Sequence, residues 1–257
     1  MAAELPRIYL KYHQTGRPMA AMEANWAHGT STGWHSHPRG QLLYAIEGVM
    51  SVQLHSGSWL VPPNRGLWIE ADAEHDVRMS GDVKMRTAYI DASAFADLPA
   101  RTCVVNVSPL LRELVVAAVG VPLDYAEGSR DERLMHLLVD ELRAAEVLPL
   151  HLPLSADARL RQVCEALMRE PADTATAEHW AQRLGVSAKT LQRLFVKETG
   201  MPFAQWREQA RLMFALGRIA AGERIIDIAL DCGYASQSAF TAMFKRHFGV
   251  PPSGFQR

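Results

Sequence analysis

The chain has 257 residues, of which 48% are hydrophobic, and a formal net charge of -1. This length and composition predict one large or two ordinary folded domains and exclude a mostly disordered chain. The sequence contains no apolar run of about 18 residues, and its first residues, MAAELPRIYLKYHQ, carry charges and a proline where a signal peptide has an apolar stretch. We therefore expect a cytoplasmic protein that does not enter the membrane.

Charge is distributed unequally along the chain. Residues 1–155 carry 13 Lys and Arg against 18 Asp and Glu, a net of -5. Residues 156–257 carry 14 against 10, a net of +4. Only the second half therefore has the charge expected of a surface that binds a polyanion.

The first half shows two successive hydrophobic patterns. From Thr32 to Asp91, short apolar runs are separated by Gly, Pro, Asn and Asp, which predicts a small antiparallel barrel or sandwich. Between Pro109 and Val147 the apolar residues recur at helical spacing, which predicts two amphipathic helices. These helices either cover the open side of the barrel or form a dimer contact, and the sequence favours neither.

A pair of helices joined by a tight turn is predicted around residue 185. The small Ala181 allows a second helix to cross closely, and Gly185 can take the positive φ that ends the first helix. Ser187 then supplies an N-cap oxygen. The helix that follows has a buried stripe formed by Leu191, Leu194 and Phe195, and its opposite face carries Lys189, Gln192, Arg193 and Val196.

The same arrangement occurs a second time near the end of the chain. Four residues of the first copy match four of the second at a constant offset of 49 positions. They are Ser187, Leu191, Phe195 and Gly200 in the first copy, and in the same order Ser236, Phe240, Phe244 and Gly249 in the second. Ala229 and Gly233 occupy the crossing and turn positions, in a turn one residue longer. The face that corresponds to the exposed face of the first copy carries Ser238, Thr241, Ala242 and Lys245, and Gln237 lies beside the cap.

A long helix beginning near Pro202 is predicted to connect the two copies. Two recognition helices held about 34 Å apart by such a rod enter successive major grooves of a DNA duplex. Basic residues around them are candidates for phosphate contacts, which give affinity without sequence information, namely Lys197, Arg207, Arg211, Arg218, Arg224 and Arg246.

These segments resemble the AraC/XylS family of bacterial transcription regulators. The resemblance rests on LGVSAKTLQRLFVKETGMPFAQW and RIIDIALDCGYASQSAFTAMFKRHFGVPPSGFQR, which cover nearly all of residues 157–257. It implies that Lys189, Gln192 and Arg193 contact bases from the first recognition helix, and that Gln237, Ser238 and Ala242 do so from the second. Ala242 departs from family members that have a long basic side chain there, so we expect the first copy to discriminate sequence more strongly.

The resemblance also implies a division of labour between the two halves. Residues 1–105 are interpreted as a cupin-like sensor barrel, 106–147 as a helical segment that is a candidate for dimerisation, 148–156 as a linker, and 157–257 as the double helix-turn-helix domain. The expected partners are a double-stranded DNA operator, a small-molecule or metal effector, a second copy of the chain and, for an activator, RNA polymerase.

A histidine cluster in the first half resembles the first cupin motif. His35 and His37 are expected to alternate on a strand and to project to one face, and His75 follows where the second cupin motif places its ligand. Three imidazoles suit one divalent transition metal. Gln41 stands where metalloenzyme cupins have Glu, so the alternative is that these histidines line an effector pocket or bond to one another.

Four aromatic residues are candidate walls of an effector pocket, although aromatic residues in strands are more often ordinary core. They are Trp34, Tyr44, Trp59 and Trp68. Two rival functions compete with the regulator hypothesis. A cupin metalloenzyme with an appended helical domain is disfavoured by Gln41, and an architectural DNA-binding protein is disfavoured by the modest positive charge of the second half.

Overall fold

The computed structural model describes residues 7–62, 65–148, 150–248 and 251–255. Contacts divide the chain into two compact units. The first comprises the described residues of Met1–Leu54 and Trp59–Leu150, and the second comprises those of His55–Ser58 and His151–Arg257. The first is rich in strands and the second is helical, which confirms the predicted fold class.

The first unit begins with a short helix, α1 (Arg7–Gln14). Its strands are β1 (Met19–Trp26), β2 (Gly40–Leu54), β3 (Gly57–Val61), β4 (Arg65–Ile69), β5 (His75–Ile90), β6 (Cys103–Asn106) and β7 (Val147–Leu148), and its later helices are α2 (Pro109–Ala118) and α3 (Arg130–Ala144). The strand order is β1-β5-β2-β4-β6-β7, with β3 paired to β2. Neighbours along that order run antiparallel.

Alternation along the strands gives this sheet two different faces. Leu42 and Tyr44 of β2 lie in a buried apolar cluster with Trp68 of β4 and with side chains of α2 and α3. The intervening Gln41 and Leu43 point to the other face, where they line a cavity. Helices α2 and α3 therefore cover one face of the sheet, which is the first of the two roles left open by their sequence.

The second unit is built around a long helix. Its elements are β8 (His151–Pro153), α4 (Ala158–Arg169), α5 (Ala177–Arg183), α6 (Ala188–Thr199), α7 (Phe203–Ala220), α8 (Ile225–Asp231), α9 (Gln237–Phe248) and a 3₁₀ turn (Pro252–Phe255). Trp206 of α7 is fully buried, and its indole Nε1 donates to the carbonyl of Pro153 at 2.7 Å. None of the helices described in either unit has the length and apolarity needed to span a bilayer.

The two helix-turn-helix copies end their first helices with the same hydrogen bonds. The amides of Gly185 and Val186 donate to the carbonyls of Gln182 and Ala181, and those of Gly233 and Tyr234 donate to Leu230 and Ala229. The glycines have φ of 67° and 75°. This is the pattern of a helix closed by a left-handed residue, and it confirms the predicted role of both glycines. Gly249, the predicted counterpart of Gly200, lies outside the described residues.

Much of the segment 148–156, predicted as a linker, has regular structure. Strand β7 pairs with β6 through Val104 with Leu148 and Val105 with Val147. Strand β8 follows, and Leu152 within it is buried in the core of the second unit. Leu148 thus pairs with a strand of the first unit and Leu152 lies in the core of the second, so residues 149–150 lie between β7 and β8.

The two turn glycines provide a matched test of packing. A Cβ at Gly233 would lie 3.1 Å from the backbone of Ala172, whereas one at Gly185 would meet no atom within 4 Å. Both substitutions to alanine carry the cost of a left-handed residue, about 1–2 kcal/mol. Gly233→Ala should therefore lower the free energy of unfolding of the helical unit by more than Gly185→Ala in urea titrations. Equal losses would contradict the close approach at Gly233.

Candidate nucleic-acid interface and histidine cluster

Helix α6 presents the predicted reading residues on its solvent face. Lys189, Gln192 and Arg193 are exposed, as is Val196, whereas Leu191 and Phe195 are fully buried on the opposite side. The Ser187 Oγ accepts the amide N–H of Thr190 at 3.1 Å, so this serine is the N-cap that the sequence predicts. Lys197, in the last turn, is exposed and lies 3.5 Å from the carboxylate of Glu198.

Helix α9 has the same construction with a smaller polar face. Its buried side consists of Phe240, Met243 and Phe244. The Ser236 Oγ accepts the amide of Ala239 at 3.2 Å. Of the predicted contact residues, Thr241 is half-buried and the others are exposed, namely Gln237, Ser238, Ala242, Lys245 and Arg246.

Two of the arginines predicted to contact phosphates donate hydrogen bonds to backbone carbonyls of the protein. Arg207 donates to the carbonyl of Ala175 at 2.9 Å, and Arg211 donates to the carbonyls of Pro171 and Asp173 at 2.7 and 3.0 Å. Both thereby tie α7 to the loop between α4 and α5. Positive charge alone does not distinguish a phosphate contact from such a carbonyl clamp, so the phosphate contacts of these two arginines stay a prediction.

The remaining basic candidates take part in ion pairs at the surface. Arg218 bonds to Glu223 and Asp231, and Arg224 bonds to Asp227. The carboxylate of Glu208 on α7 accepts from Arg246 on α9 and lies 2.9 Å from Nε2 of His247. Surface ion pairs of this kind each stabilise the fold by at most about 1 kcal/mol. These arginines therefore need little energy to leave their carboxylates and bind another anion.

The three predicted cluster histidines lie together inside the first unit. His35, His37 and His75 are 8%, 3% and 0% exposed, and one ring nitrogen of each lies within 4.8 Å of the others. The expected strand alternation is wrong, however. His35 forms only an isolated bridge with His75, and His37 lies in the loop before β2. The histidines come together because that bridge joins backbone segments that are 40 positions apart in the chain.

Backbone carbonyls fix the orientation of all three rings. The Nδ1 atoms of His35, His37 and His75 lie 2.8, 2.6 and 2.8 Å from the carbonyls of Gly33, Arg39 and Ala73. Each Nδ1 therefore carries the proton and leaves Nε2 with a lone pair. The buried Nε2 of His75 has no hydrogen-bond partner. Burial lowers the pKa of all three rings, that of His75 to about 3, which keeps them neutral and able to act as ligands.

Gln41 completes the cluster with an oxygen atom. The Thr87 hydroxyl donates to the carbonyl of Leu42, and the Gln41 amide nitrogen donates to Thr87, so the amide oxygen turns toward His37. That oxygen lies 2.9 Å from Nε2 of His37. A neutral His37 uses its only proton on the Arg39 carbonyl, so its Nε2 offers a lone pair beside Gln41. The donor set of three imidazoles and one amide oxygen fits a transition metal.

His13 on α1 belongs to the same region and was missed by the sequence analysis. Its ring stacks on that of His37 with centroids 4.9 Å apart and contacts Tyr89 edge-on at 4.3 Å. Both of its ring nitrogens are buried without a partner. Burial, followed by the nearby His37, lowers the pKa of His13 to about 4. No motif marks a histidine 22 positions before His35, and only α1 packing on the cluster brings it there.

The cavity of the first unit is lined by residues other than the aromatic walls that were predicted. It is lined by Tyr9, Trp26, Thr32, His35, Gln41, Leu43, Val77, Met85 and Tyr89. Tyr44 and Trp68 are on the opposite face of the sheet, in the core beneath α2 and α3. Trp34 is half-buried and Trp59 is 6% exposed, and neither lines the cavity. The assignment fails because aromatic character does not reveal which sheet face a residue occupies.

Two family models match the chain. An AraC-like ligand binding domain matches residues 22–192, and a helix-turn-helix domain matches residues 180–257. The histidine cluster and the cavity lie within the first match. Helices α6 to α9 lie within the second.

Several characterised proteins are similar to it. The HTH-type transcriptional regulator NimR of Escherichia coli (strain K12) is 32% identical over 221 residues, which cover 86% of this chain and 81% of NimR. The HTH-type transcriptional regulator RipA of Corynebacterium glutamicum is 41% identical over 103 residues, 40% of this chain and 31% of RipA. Among solved structures, ToxT from Vibrio cholerae is 11% identical, covering 93% of this chain and 98% of that chain, with a TM-score of 0.39.

An experiment can distinguish an arginine that stabilises the fold from one that contacts bases. Arg211→Ala removes the donors to Pro171 and Asp173, so the free energy of unfolding of the helical unit should fall by about 1–3 kcal/mol. Arg193→Ala, on an exposed site, should change it by less than about 0.5 kcal/mol. Urea titration followed by circular dichroism measures both. Unchanged stability of Arg211→Ala together with weakened DNA binding would return Arg211 to the phosphate contacts.

Proposed function

The chain belongs to the AraC family of transcription regulators, and from that membership we propose that it reads its operator mainly through α6 under the control of an effector held in the first unit. The observation that carries this proposal is the duplicated helix-turn-helix, whose two turns are closed by the same hydrogen bonds. A helix-turn-helix domain binds DNA by placing its second helix in the major groove.

Helix α6 has the side chains needed to discriminate bases. A guanidinium such as that of Arg193 pairs with O6 and N7 of guanine, and an amide such as that of Gln192 pairs with N6 and N7 of adenine. Each bidentate pair is worth about 1–3 kcal/mol of discrimination against a wrong base. Lys189 and Lys197, at the two ends of the exposed face, supply positive charge toward bases and phosphates. Ser187 caps the helix and sets the position of its first turn.

Helix α9 contributes orientation and affinity more than sequence discrimination. The methyl group of Ala242 offers no hydrogen bond, and Thr241 is half-buried. Gln237 and Ser238 in the first turn are the polar groups available to bases, after the Ser236 cap. Lys245 and Arg246 in the last turn are available to phosphates.

The first unit holds the effector in the cavity on the inner face of its sheet. A ligand changes DNA binding only if it binds one state of the protein better than another. Strand β7 of the first unit and β8 of the second are joined by residues 149–150, which offer one covalent route for such coupling. Small-molecule control of operator binding is therefore the function that this arrangement favours.

A divalent transition metal is proposed as a component of the same site. His35, His37 and His75 would bind it through Nε2, and Gln41 through its amide oxygen. A bound metal would supply a fixed positive centre for an electron-rich effector. The chain's own contribution is the set of carbonyl contacts that orient the three rings.

The working form is proposed to be a homodimer in the bacterial cytoplasm, where the DNA lies. Leu110 of α2 and Leu137 of α3 are 47% and 43% exposed on the outer side of the helices that cover the sheet. Large apolar side chains at such positions favour a contact with a second subunit. If the bound protein activates transcription, RNA polymerase is a further partner.

The role of Arg193 is tested on the operator itself, which is identified by selecting the fragments of the source genome that the protein binds. Arg193→Ala should weaken specific binding about 10- to 100-fold, because it removes one bidentate base contact. Arg130→Ala, an exposed arginine of the first unit, is the matched control and should bind as the wild type does. Gel-shift affinities at one fixed salt concentration measure both, and an unchanged affinity of the Arg193 variant would remove it from the base contacts.

The metal proposal is tested by metal analysis of protein purified without chelator. The wild type should retain about one divalent transition metal per chain. His35→Ala should lose it, and His179→Ala, which removes an exposed histidine of the second unit, should not. Gln41→Glu should hold the metal more tightly, because a carboxylate adds negative charge. Wild-type protein free of metal would exclude the site.

A further inference from the structure

Helix α6 carries an apolar side chain on the same face as its polar reading residues. Val196 is 49% exposed, whereas Leu191 and Phe195 of the same helix are fully buried. It follows Gln192 by four positions and Arg193 by three, and both of those residues are exposed. Residues at these two spacings are neighbours on one side of a helix. Val196 therefore continues the exposed row of Gln192 and Arg193 toward the C-terminal end of α6.

Neither helix propensity nor core packing accounts for a valine at this position. A β-branched residue is less favourable in a helix than alanine, lysine or glutamine, and about half of this side chain lies outside the core. The equivalent residue of α9 is Lys245, so the second copy has a charged group where the first has an apolar one. Isolated exposed apolar residues are common on protein surfaces. The exposed Ile226 and Leu230 of this unit, however, lie on α8, whereas Val196 lies on a recognition helix.

The major groove of DNA offers one apolar group that such a side chain recognises. The C5-methyl group of thymine projects into the groove, and apolar side chains distinguish thymine by contact with it. In a helix a valine has one strongly preferred rotamer, so its methyl groups reach a fixed position with little loss of side-chain entropy on binding. The amide of Gly200 donates to the carbonyl of Val196 at 2.9 Å, which holds the valine backbone within the hydrogen-bond ladder of α6.

The spacing along α6 gives the expected location of that thymine. A helix rises about 1.5 Å per residue, so Val196 lies about 5 Å beyond Arg193 along the helix axis. Successive base pairs of a duplex are about 3.4 Å apart. A thymine in contact with Val196 is therefore expected one or two base pairs from the base pair that Arg193 contacts.

We propose that Val196 reads a thymine of the operator by contact with its C5-methyl group. This inference rests on the proposed function, because it assigns a further base-reading residue to α6. Gln192 and Arg193 select bases through hydrogen bonds, and Val196 adds a selection through an apolar contact. The operator half that α6 contacts therefore contains an A·T pair whose thymine methyl packs on Val196.

The test replaces each thymine of the selected operator in turn by uracil, which pairs with adenine in the same way and lacks only the methyl group. Affinities of the full-length protein for the substituted duplexes are measured by gel shift at one fixed salt concentration. One substitution should weaken binding of the wild type about fourfold, the effect of exposing one buried methyl-sized group. That thymine should lie one or two base pairs from the pair at which Arg193→Ala loses discrimination.

Substitution of Val196 shows whether that loss depends on the valine. Val196→Ala should bind the unmodified operator more weakly by a similar factor, and uracil at the sensitive position should cause no further loss. The variant should fold normally, because alanine is the better helix former at an exposed site, and circular dichroism checks this. Leu230→Ala removes an exposed apolar side chain from the same unit and is the matched control. It should retain the sensitivity of the wild type to uracil.

Three results would overturn the inference. The first is a wild-type affinity that no uracil substitution changes. The second is an equal loss for the wild type and Val196→Ala at the sensitive position, which would assign the methyl contact to another side chain. The third is an unchanged affinity of Val196→Ala for the unmodified operator, which would leave Val196 available to a protein partner instead.

Arg193→Ala, measured on the same operator, distinguishes these failures from failure of the proposed function. A protein that loses affinity on that substitution and tolerates every uracil remains a regulator that reads DNA through α6, without a thymine contact from Val196. A protein that binds no specific operator contradicts the proposed function itself.

Discussion

The second unit depends on one helix, because α7 supports both helix-turn-helix copies. Its Trp206 is fully buried and bonded to Pro153, and its Arg207 and Arg211 hold the carbonyls of the loop between α4 and α5. Farther along the helix, Arg218 bonds to Asp231 at the end of α8, while Glu208 holds Arg246 of α9. The two recognition helices are thus fixed to one rod, and their unequal faces are presented together.

The first unit depends on the alternation of side chains along β2 and β5. One face is apolar and covered by α2 and α3, so the polar residues Gln41 and Thr87 are confined to the other face. There they meet three imidazoles oriented by backbone carbonyls, beside a cavity with aromatic walls. Beside that cavity the buried Nε2 of His75 has no hydrogen-bond partner, which is the feature expected of a site that takes a ligand.

The turns and caps of the DNA-binding half could be predicted from sequence because they depend on local geometry. Much of the sensor half could not, because it depends on packing between residues far apart in the chain. Gly185, Gly233 and the caps Ser187 and Ser236 were predictable because turn geometry restricts which residues fit. The sheet face that Tyr44 and Trp68 occupy was not predictable from sequence, because it depends on where α2 and α3 pack. The carbonyl clamp of Arg211 and the stacking of His13 on His37 likewise join residues distant in the chain, for which charge and spacing carry no signal.

The central claim is that one rod presents two recognition helices of unequal discriminating power. The most direct measurement replaces each base pair of the selected operator in turn and determines the affinity of the full-length protein at one salt concentration. Substitutions in the half contacted by α6 should each cost about 1–3 kcal/mol, and those in the half contacted by α9 clearly less. Equal or larger losses in the α9 half would contradict the account.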